Sequence, residues 1–226
     1  MSTLLNVRQN VPPFEKAVAK SEIRLTGTVD KAQQAFGAEQ YRVLRHLMEQ
    51  FGKVGRSVVA ISSPVAGDGK TMTSINLAKA MAQAPDSRIL LVDADLRRGS
   101  VGEQLGLGRA SQGLSGAIAD PSCRLATAVR RLPALNLSVV LAGPCPAMPY
   151  EALRSPRLGE LLAEARVSYD CVIVDTPPIV PVADMRALSQ WVDGFILVVS
   201  AHRTPRSFVD EAPLRHGSRE SSGPRL

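Results

Sequence analysis

The stretch that decides the fold is "SVVAISSPVAGDGKTMTS", residues 57–74. It opens with "SVVAIS", an apolar run rich in β-branched side chains that is typical of a buried parallel strand. In the loop that follows, Gly67 and Gly69 permit backbone conformations that turn N–H groups toward a phosphate. A helix is predicted from residue 71, and its positive N-terminal end favours an anion. The order of strand, glycine-rich loop and helix predicts a nucleotide-binding P-loop.

The side chains at the end of this loop carry the expected chemistry. Lys70 can reach the β- and γ-phosphates of a nucleotide, and the Thr71 hydroxyl can join a magnesium shell. Pro64 stands where the usual G-x-x-x-x-G-K-[ST] pattern has its first glycine, so a glycine turn with an exposed lysine is the alternative. The residues that we expect to bind the nucleotide are Gly67, Asp68, Gly69, Lys70, Thr71 and Met72.

Three acidic residues end two further apolar runs. Asp93 and Asp95 stand two apart in "LLVDADLRR", and Asp175 closes "CVIVD". Residues i and i+2 of a strand share one face, and parallel sheets bind ligands beyond the carboxyl ends of their strands. We therefore expect the three acids to converge on the P-loop, where magnesium chemistry needs them. Each acid alone is also compatible with a simple strand cap.

Apolar strands alternate with helices along the rest of the chain. Such alternation predicts βαβ units, and hence an α/β fold with a doubly wound, mainly parallel sheet. The predicted strands cover 57–62, 88–95, 136–143, 170–178 and 193–201. The predicted helices cover 38–51, 71–84, 149–166 with a break, 182–192 and 204–212, and short helices are expected near 101–106 and 113–119.

One domain of this type accounts for most of the chain. Residues 38–212 form the predicted P-loop domain. Residues 1–37 contain Pro12 and Pro13 and no sustained hydrophobic period, which predicts an arm or linker. The composition shifts to Arg, Ser and Gly in residues 213–226, which predicts an atypical, disordered tail.

The composition argues against several other classes of protein. Apolar residues make up 45% of the 226 residues, which suits a globular protein. No apolar run reaches the ~18–20 residues of a membrane span, and the N-terminus lacks the pattern of a secretion signal. The three cysteines are widely spaced, which predicts reduced thiols rather than a metal site. The net charge of +6 comes mostly from scattered arginines, so we expect no nucleic acid partner but rather a face for an acidic partner or membrane surface.

The motifs resemble those of the bacterial tyrosine autokinases of capsule and exopolysaccharide synthesis. This family belongs to the branch of P-loop NTPases that includes the partition and cell-division positioning ATPases. "SSPVAGDGKT" is similar to the deviant Walker A loop of that branch, which lacks an obligatory first glycine. The family's hydrophobic run followed by D-x-D-x-R resembles "LVDADLR", and its D-T-P-P motif matches Asp175 to Pro178. The resemblance covers residues 38–210.

The resemblance implies an ATP-dependent protein-tyrosine (auto)kinase that uses ATP and Mg²⁺. The catalytic residues that it implies are Lys70, Asp93 and Asp95, with the two acids serving metal binding and activation of the attacking tyrosine hydroxyl. The metal ligands that it implies are Thr71, Asp93 and Asp175, and a further nucleotide-binding residue is Arg97.

The resemblance also implies an assembly and a partner. Glu39, Arg42 and Arg45 fit the E-x-x-R-x-x-R pattern with which this family assembles its subunits into a ring, and a solvated charged stripe is the alternative. The implied partner is a membrane-bound polysaccharide chain-length regulator (co-polymerase) with an activating cytoplasmic segment. The expected location is the cytoplasm, with recruitment to the inner face of the cell membrane by that partner.

Two features depart from the family pattern. The tyrosines are Tyr41, Tyr150 and Tyr169, so the tail lacks the family's tyrosine cluster, and we expect little autophosphorylation from this chain alone. The family's last strand is also missing, which would leave a sheet edge exposed unless something covers it. Two alternatives stay open: a weakly active or non-catalytic nucleotide-binding relative, and a positioning ATPase of the ParA/MinD type. The positioning ATPases usually carry an extra lysine near the start of the loop, and residues 62–69 contain none.

Overall fold

Within the described part of the chain, eight strands form one mainly parallel sheet at the centre of the structure. The computed structural model describes residues 2–9, 23–26, 31–51, 56–179 and 187–211. The strands are β1 Ser2–Gln9, β2 Ile23–Thr26, β3 Ser57–Ser62, β4 Ile89–Asp93, β5 Val129–Leu132, β6 Leu137–Val140, β7 Cys171–Asp175 and β8 Gly194–Ser200. Their order across the sheet is β2-β1-β8-β3-β7-β4-β6-β5. The predicted α/β fold is confirmed.

Helices flank this sheet. Among the described residues they are α1 Lys31–Phe51, α2 Lys70–Met81, α3 Val101–Gln104, α4 Gly113–Ala119, α5 Leu125–Ala128, a 3₁₀ turn Pro133–Leu135, α6 Pro149–Arg154, α7 Pro156–Ser168 and α8 Arg206–Glu211. The predicted helix over 182–192 lies partly outside the described residues, and its residues 187–188 are helical. Within the described ranges, none of the helices combines the length and the apolarity needed to cross a membrane.

The central strands are buried on both faces. β3 pairs in parallel with β7 and β8, and β4 pairs in parallel with β7 and β6. Successive residues of a strand point to opposite faces, so Leu90 joins one core with Leu161 of α7, while Leu91 joins a second core with Leu77 of α2. Burial on both faces explains why these strands read as continuous apolar runs rather than as alternating patterns.

The two edges of the sheet differ from the prediction. β1 and β2 lie in the segment that was predicted to be an arm, and β1 pairs antiparallel with β8, so it covers the edge that was expected to be exposed. Helix α1 begins at Lys31, before the predicted start at residue 38. At the other edge, β5 pairs antiparallel with β6; it was missed because "VRRL" is short and carries two charges. The predicted tail over 213–226 lies outside the described residues.

Candidate active site

The P-loop connects β3 to α2 at the carboxyl ends of the parallel strands. Gly67 and Gly69 adopt φ values of 89° and 93°, in the left-handed region that side chains rarely occupy. A Cβ built on Gly69 would have no heavy atom within 4 Å, so this part of the loop faces open space. Helix α2 begins directly afterwards, at Lys70, and its first-turn N–H groups favour an anion there. The arrangement has the geometry of a phosphate-binding site.

The Lys70 ammonium lies among carboxylates. Its Nζ donates to Asp95 Oδ2 at 2.9 Å and lies 3.9 Å from Asp175 Oδ2. Burial lowers the pKa of Lys70, but the charges of Asp175 and Asp95 together outweigh burial, so its pKa stays above the ordinary value. Lys70 is therefore a buried, charged group at the start of α2, held by acids in the place where a phosphate would bind.

Hydroxyl groups surround the carboxylate of Asp175, which is fully buried. The Thr71 hydroxyl donates to its Oδ2 at 2.7 Å, and the Ser74 hydroxyl donates to its Oδ1 at 3.0 Å. Burial raises the pKa of Asp175, although Lys70 and these hydroxyls oppose the shift. The Ser100 hydroxyl donates to Thr71 Oγ1 at 3.3 Å. Ser74 and Ser100 were not predicted; the spacing of Ser74, three residues after Thr71, could have placed it on the same helix face.

Asp93 is turned into the loop that follows β4. The prediction that Asp93 and Asp95 share one face of a strand is wrong, because the strand ends at Asp93 and Asp95 lies beyond it. Asp93 Oδ1 accepts from the backbone N–H of Asp95 at 3.2 Å, and Oδ2 accepts from that of Val101 at 3.1 Å. Burial, and then the charge of Asp175, raises the pKa of Asp93 to about 7. Asp93 thus braces this loop, whereas Asp95 meets the ammonium of the P-loop.

The "DTPP" segment after β7 is bonded to the strand that precedes the P-loop. The hydroxyl and the backbone N–H of Thr176 both donate to the Ile61 carbonyl, at 2.9 and 3.0 Å. The Ser62 hydroxyl donates to the Pro177 carbonyl at 2.8 Å. Because these bonds join the ends of β7 and β3, the acid at the end of β7 and the P-loop keep one relative position.

The other predicted side chains, those of Met72, Arg97 and Asp68, differ in their surroundings. Met72 is 51% exposed in the first turn of α2, and Arg97 is exposed in the loop after β4. Asp68 is only 4% exposed, and its Oδ1 accepts from the Thr204 hydroxyl at 2.7 Å. The structure therefore brings five predicted side chains together, and it directs Asp68 elsewhere. The five are Lys70, Thr71, Asp93, Asp95 and Asp175.

The side-chain atoms of the site that could ligate a metal ion are oxygens, which suit a hard cation such as Mg²⁺. Among the residues that the structure describes, no group of three or more His, Cys, Asp or Glu side chains is placed to hold a metal ion by itself. Mg²⁺ usually binds through one or two side-chain oxygens together with phosphates and water. The hydroxyl of Thr71 and the carboxylate of Asp175, 2.7 Å apart, fit a Mg²⁺ ion that arrives with a nucleotide.

The three predicted assembly residues of α1 have different surroundings. Arg42 Nη1 pairs with Glu39 Oε2 at 2.5 Å, and the two side chains are 61% and 58% exposed. Arg45 pairs instead with Glu49 at 2.6 Å, and it donates to the Ala80 carbonyl near the end of α2 at 3.2 Å. Arg45 therefore helps to pack α1 on α2, and the exposed part of the pattern is Glu39 and Arg42.

Comparisons with known proteins agree with this geometry. The family described as an AAA domain matches residues 56–204. Tyrosine-protein kinase YwqD of Bacillus subtilis is 38% identical over 181 residues, which cover 79% of this chain and 75% of YwqD. Tyrosine-protein kinase ptk of Acinetobacter johnsonii is 36% identical over 146 residues, which cover 65% of this chain but 19% of ptk. The solved kinase domain of Escherichia coli tyrosine kinase ETK has a TM-score of 0.73 at 30% identity, covering 79% of this chain and 69% of that domain.

The AAA-domain match includes every part of the site built above. It spans the P-loop, the acids after β4, and the "DTPP" segment after β7. The chain spans most of the length of YwqD but only a small part of the length of ptk. The chain belongs to the bacterial tyrosine-kinase family of P-loop ATPases.

Proposed function

We propose that this chain binds Mg-ATP on its P-loop and transfers the γ-phosphoryl group to a tyrosine hydroxyl. The observation that carries the proposal is the Lys70 ammonium, buried at the start of α2 near the carboxylates of Asp95 and Asp175. A purely structural ion pair does not require a glycine loop that opens onto a helix N-terminus, whereas a phosphate site uses both. Membership of the tyrosine-kinase family indicates the class of acceptor.

Each side chain of the site has its own role in the proposed reaction. Lys70 exchanges Asp95 for the phosphates, to which it makes charge-assisted hydrogen bonds. The released Asp95 accepts the proton of the tyrosine hydroxyl, whose oxygen bonds to the γ-phosphorus as the bond to the leaving ADP oxygen breaks. Thr71 and Asp175 would hold Mg²⁺, which when bound neutralises charge on the phosphates. Asp93 keeps the loop that carries Asp95 in place through its two backbone hydrogen bonds.

Calorimetry with Mg-ATP tests the binding site. Lys70→Ala should weaken binding by about 100-fold, because it removes a charge-assisted contact from a buried site. Lys79→Ala, in the last turn of the same helix, is the matched control and should bind as the wild type does. Equal affinities of the wild type and Lys70→Ala would remove the assignment of the P-loop.

Phosphotyrosine detection tests the reaction. With Mg-ATP and a tyrosine-containing copolymer as acceptor, the wild type should produce phosphotyrosine, and Asp95→Ala should produce little. Binding of Mg-ATP by the wild type without any transfer would contradict the kinase proposal and favour a non-catalytic nucleotide-binding relative.

The tyrosines of the chain itself are poor acceptors in this proposal. Tyr41, Tyr150 and Tyr169 are each partly buried and pack against one of the two cores. Tyr150 lies in α6, within the predicted helix over 149–166. Because a packed side chain cannot readily reach the Mg-ATP of a neighbouring molecule, we expect little autophosphorylation. Mass spectrometry that finds abundant phosphotyrosine on the chain would contradict this expectation and identify the site.

We further propose that the chain acts as a homo-oligomer in exopolysaccharide or capsule synthesis, recruited to the inner face of the cell membrane by a polysaccharide chain-length regulator with an activating cytoplasmic segment. The exposed Glu39 and Arg42 support a contact between subunits. Replacing both by alanine should lower the mass measured by light scattering. The control replaces Arg88 and Asp170, an exposed ion pair elsewhere. If the mass of the Glu39/Arg42 variant is unchanged, these residues do not hold subunits together.

A further inference from the structure

Asp68 places a negative charge inside a loop that binds anions. Asp68 is 4% exposed, and each of its carboxylate oxygens accepts a hydrogen bond. The Thr204 hydroxyl donates to Oδ1 at 2.7 Å, and the backbone N–H of Val65 donates to Oδ2 at 3.5 Å. An unpaired carboxylate on this loop would repel the phosphates, so the direction of this side chain matters for binding.

The side chains of Asp68 and Thr71 extend from the P-loop toward opposite neighbouring strands. β3, which leads into the loop, lies between β8 and β7 in the sheet. Asp68 reaches the segment after β8 through Thr204, whereas Thr71 reaches Asp175 at the end of β7. The charge of Asp68 therefore stays apart from the phosphate-binding space while its contact with Thr204 holds.

The turn after β8 is built to make this contact. His202 has a φ of 64°, in the left-handed region that is uncommon for residues with a side chain. The backbone N–H groups of Arg203 and Thr204 both donate to the Ser200 carbonyl, at 3.2 and 3.0 Å, which closes the turn on the end of the strand. A Cβ built on Gly67 would lie 3.7 Å from Arg203 Nη2. The turn thus presents a hydroxyl and a guanidinium to the P-loop.

We propose that Thr204 is a positioning residue for nucleotide binding, whose hydroxyl, with the Arg203 guanidinium beside it, holds the Asp68 carboxylate away from the phosphates. The inference rests on the proposed Mg-ATP site. Thr204 touches no reacting atom, and it acts through Asp68 alone. Without the hydroxyl, the carboxylate loses its 2.7 Å hydrogen bond, and a buried charge that has lost a partner turns toward water. On this loop, that direction brings the charge closer to the nucleotide.

A double-mutant cycle tests the inference with calorimetric Kd values for Mg-ATP. Thr204→Val should weaken binding about 10-fold in the wild-type background. In the Asp68→Asn background, which has no charge to hold back, the same substitution should change Kd by less than about two-fold. Thr204→Ser, which keeps the hydroxyl, should bind as the wild type does. Thr127→Val is the control, because its hydroxyl also makes a 2.7 Å bond, to Arg124 in a turn at the start of α5.

The outcomes separate this inference from the proposed function. A wild type that binds no Mg-ATP overturns both. A wild type that binds, together with a Thr204→Val variant of equal affinity, overturns the role of Thr204 alone. An equal loss of affinity in the two Asp68 backgrounds also overturns it, because a merely structural role does not depend on the charge at Asp68. Thermal unfolding of each variant accompanies the titrations, and Thr204→Ala replaces Thr204→Val if the latter does not fold.

Discussion

The two ends of the parallel strands carry the same kinds of charged residues in opposite surroundings. At the carboxyl ends, Lys70 and Asp95 pair at 2.9 Å with side chains that are 10% and 6% exposed. At the amino ends, Arg88 and Asp170 pair at 2.6 Å with side chains that are 52% and 43% exposed. The shorter contact is the more exposed one, so distance alone does not distinguish the two ends. Burial does.

Burial gives the two ends different roles. Buried ion pairs add little net stability, because removing charges from water offsets their attraction. At the carboxyl ends, burial raises the pKa values of Asp93 and Asp175, whereas at the amino ends the hydrogen bond from Arg88 lowers the pKa of Asp170. The carboxyl ends therefore hold charge that a bound ligand can stabilise, and the amino ends tie neighbouring strands together.

The largest effect is expected from the buried end. Asp95→Ala should lower the rate of ATP turnover by about 100-fold, a scale typical of a lost electrostatic or acid–base group. The fold should persist, because Lys70 keeps Asp175 as a charged neighbour at 3.9 Å. Turnover assays with circular dichroism check both statements, and Asp86→Ala, an exposed acid, is the control. A variant that turns over ATP at the wild-type rate would make Asp95 structural and erase the functional difference between the two ends.

A pH series sharpens the comparison. The pKa of Asp93 is about 7 in the folded protein, above the ordinary carboxyl value near 4, so between these values the folded state binds more protons than the unfolded state. The free energy of unfolding should therefore fall as pH rises from about 4 to about 7. Asp93→Asn removes this titration and should flatten the slope, although Asp68 and Asp175 contribute in the same direction. Urea unfolding at several pH values measures the free energy of unfolding. Equal slopes in the wild type and Asp93→Asn would refute the raised pKa of Asp93.

The smallest effects are expected from the amino ends. The Arg166 guanidinium donates to both carboxylate oxygens of Asp193, at 2.6 and 2.9 Å, and to the Arg56 carbonyl at 3.0 Å. Arg166→Ala should lower the free energy of unfolding by about 1–2 kcal/mol. Arg88→Ala should change it less, because its ion pair is more exposed to water. Urea unfolding measures both, and ATP turnover should be unaffected. A loss of turnover in either variant would show that the two ends are coupled.

Some elements of the structure are predictable from the sequence, and others are not. The P-loop and the acids at the ends of β4 and β7 were predictable, because each lies beside a buried strand with a clear apolar pattern. Strand β5 was not predictable, because its short, charged sequence forms a strand through its pairing with β6. The different surroundings of Arg42 and Arg45 were equally hidden, because the contact of Arg45 is with Ala80 on another helix.

What the sequence by itself determined about this protein is the edge of the sheet at which the P-loop and the acids meet. Strand, glycine loop and helix are adjacent in the chain, and parallel strands bring their carboxyl ends to one edge whatever the loops between them do. Only the tertiary structure decided where each carboxylate points and what covers the sheet. Asp68 meets Thr204 across 136 residues, and β1 reaches β8 from the far end of the chain. Such contacts depend on the packing of distant segments, and no local pattern of apolar and polar residues records them.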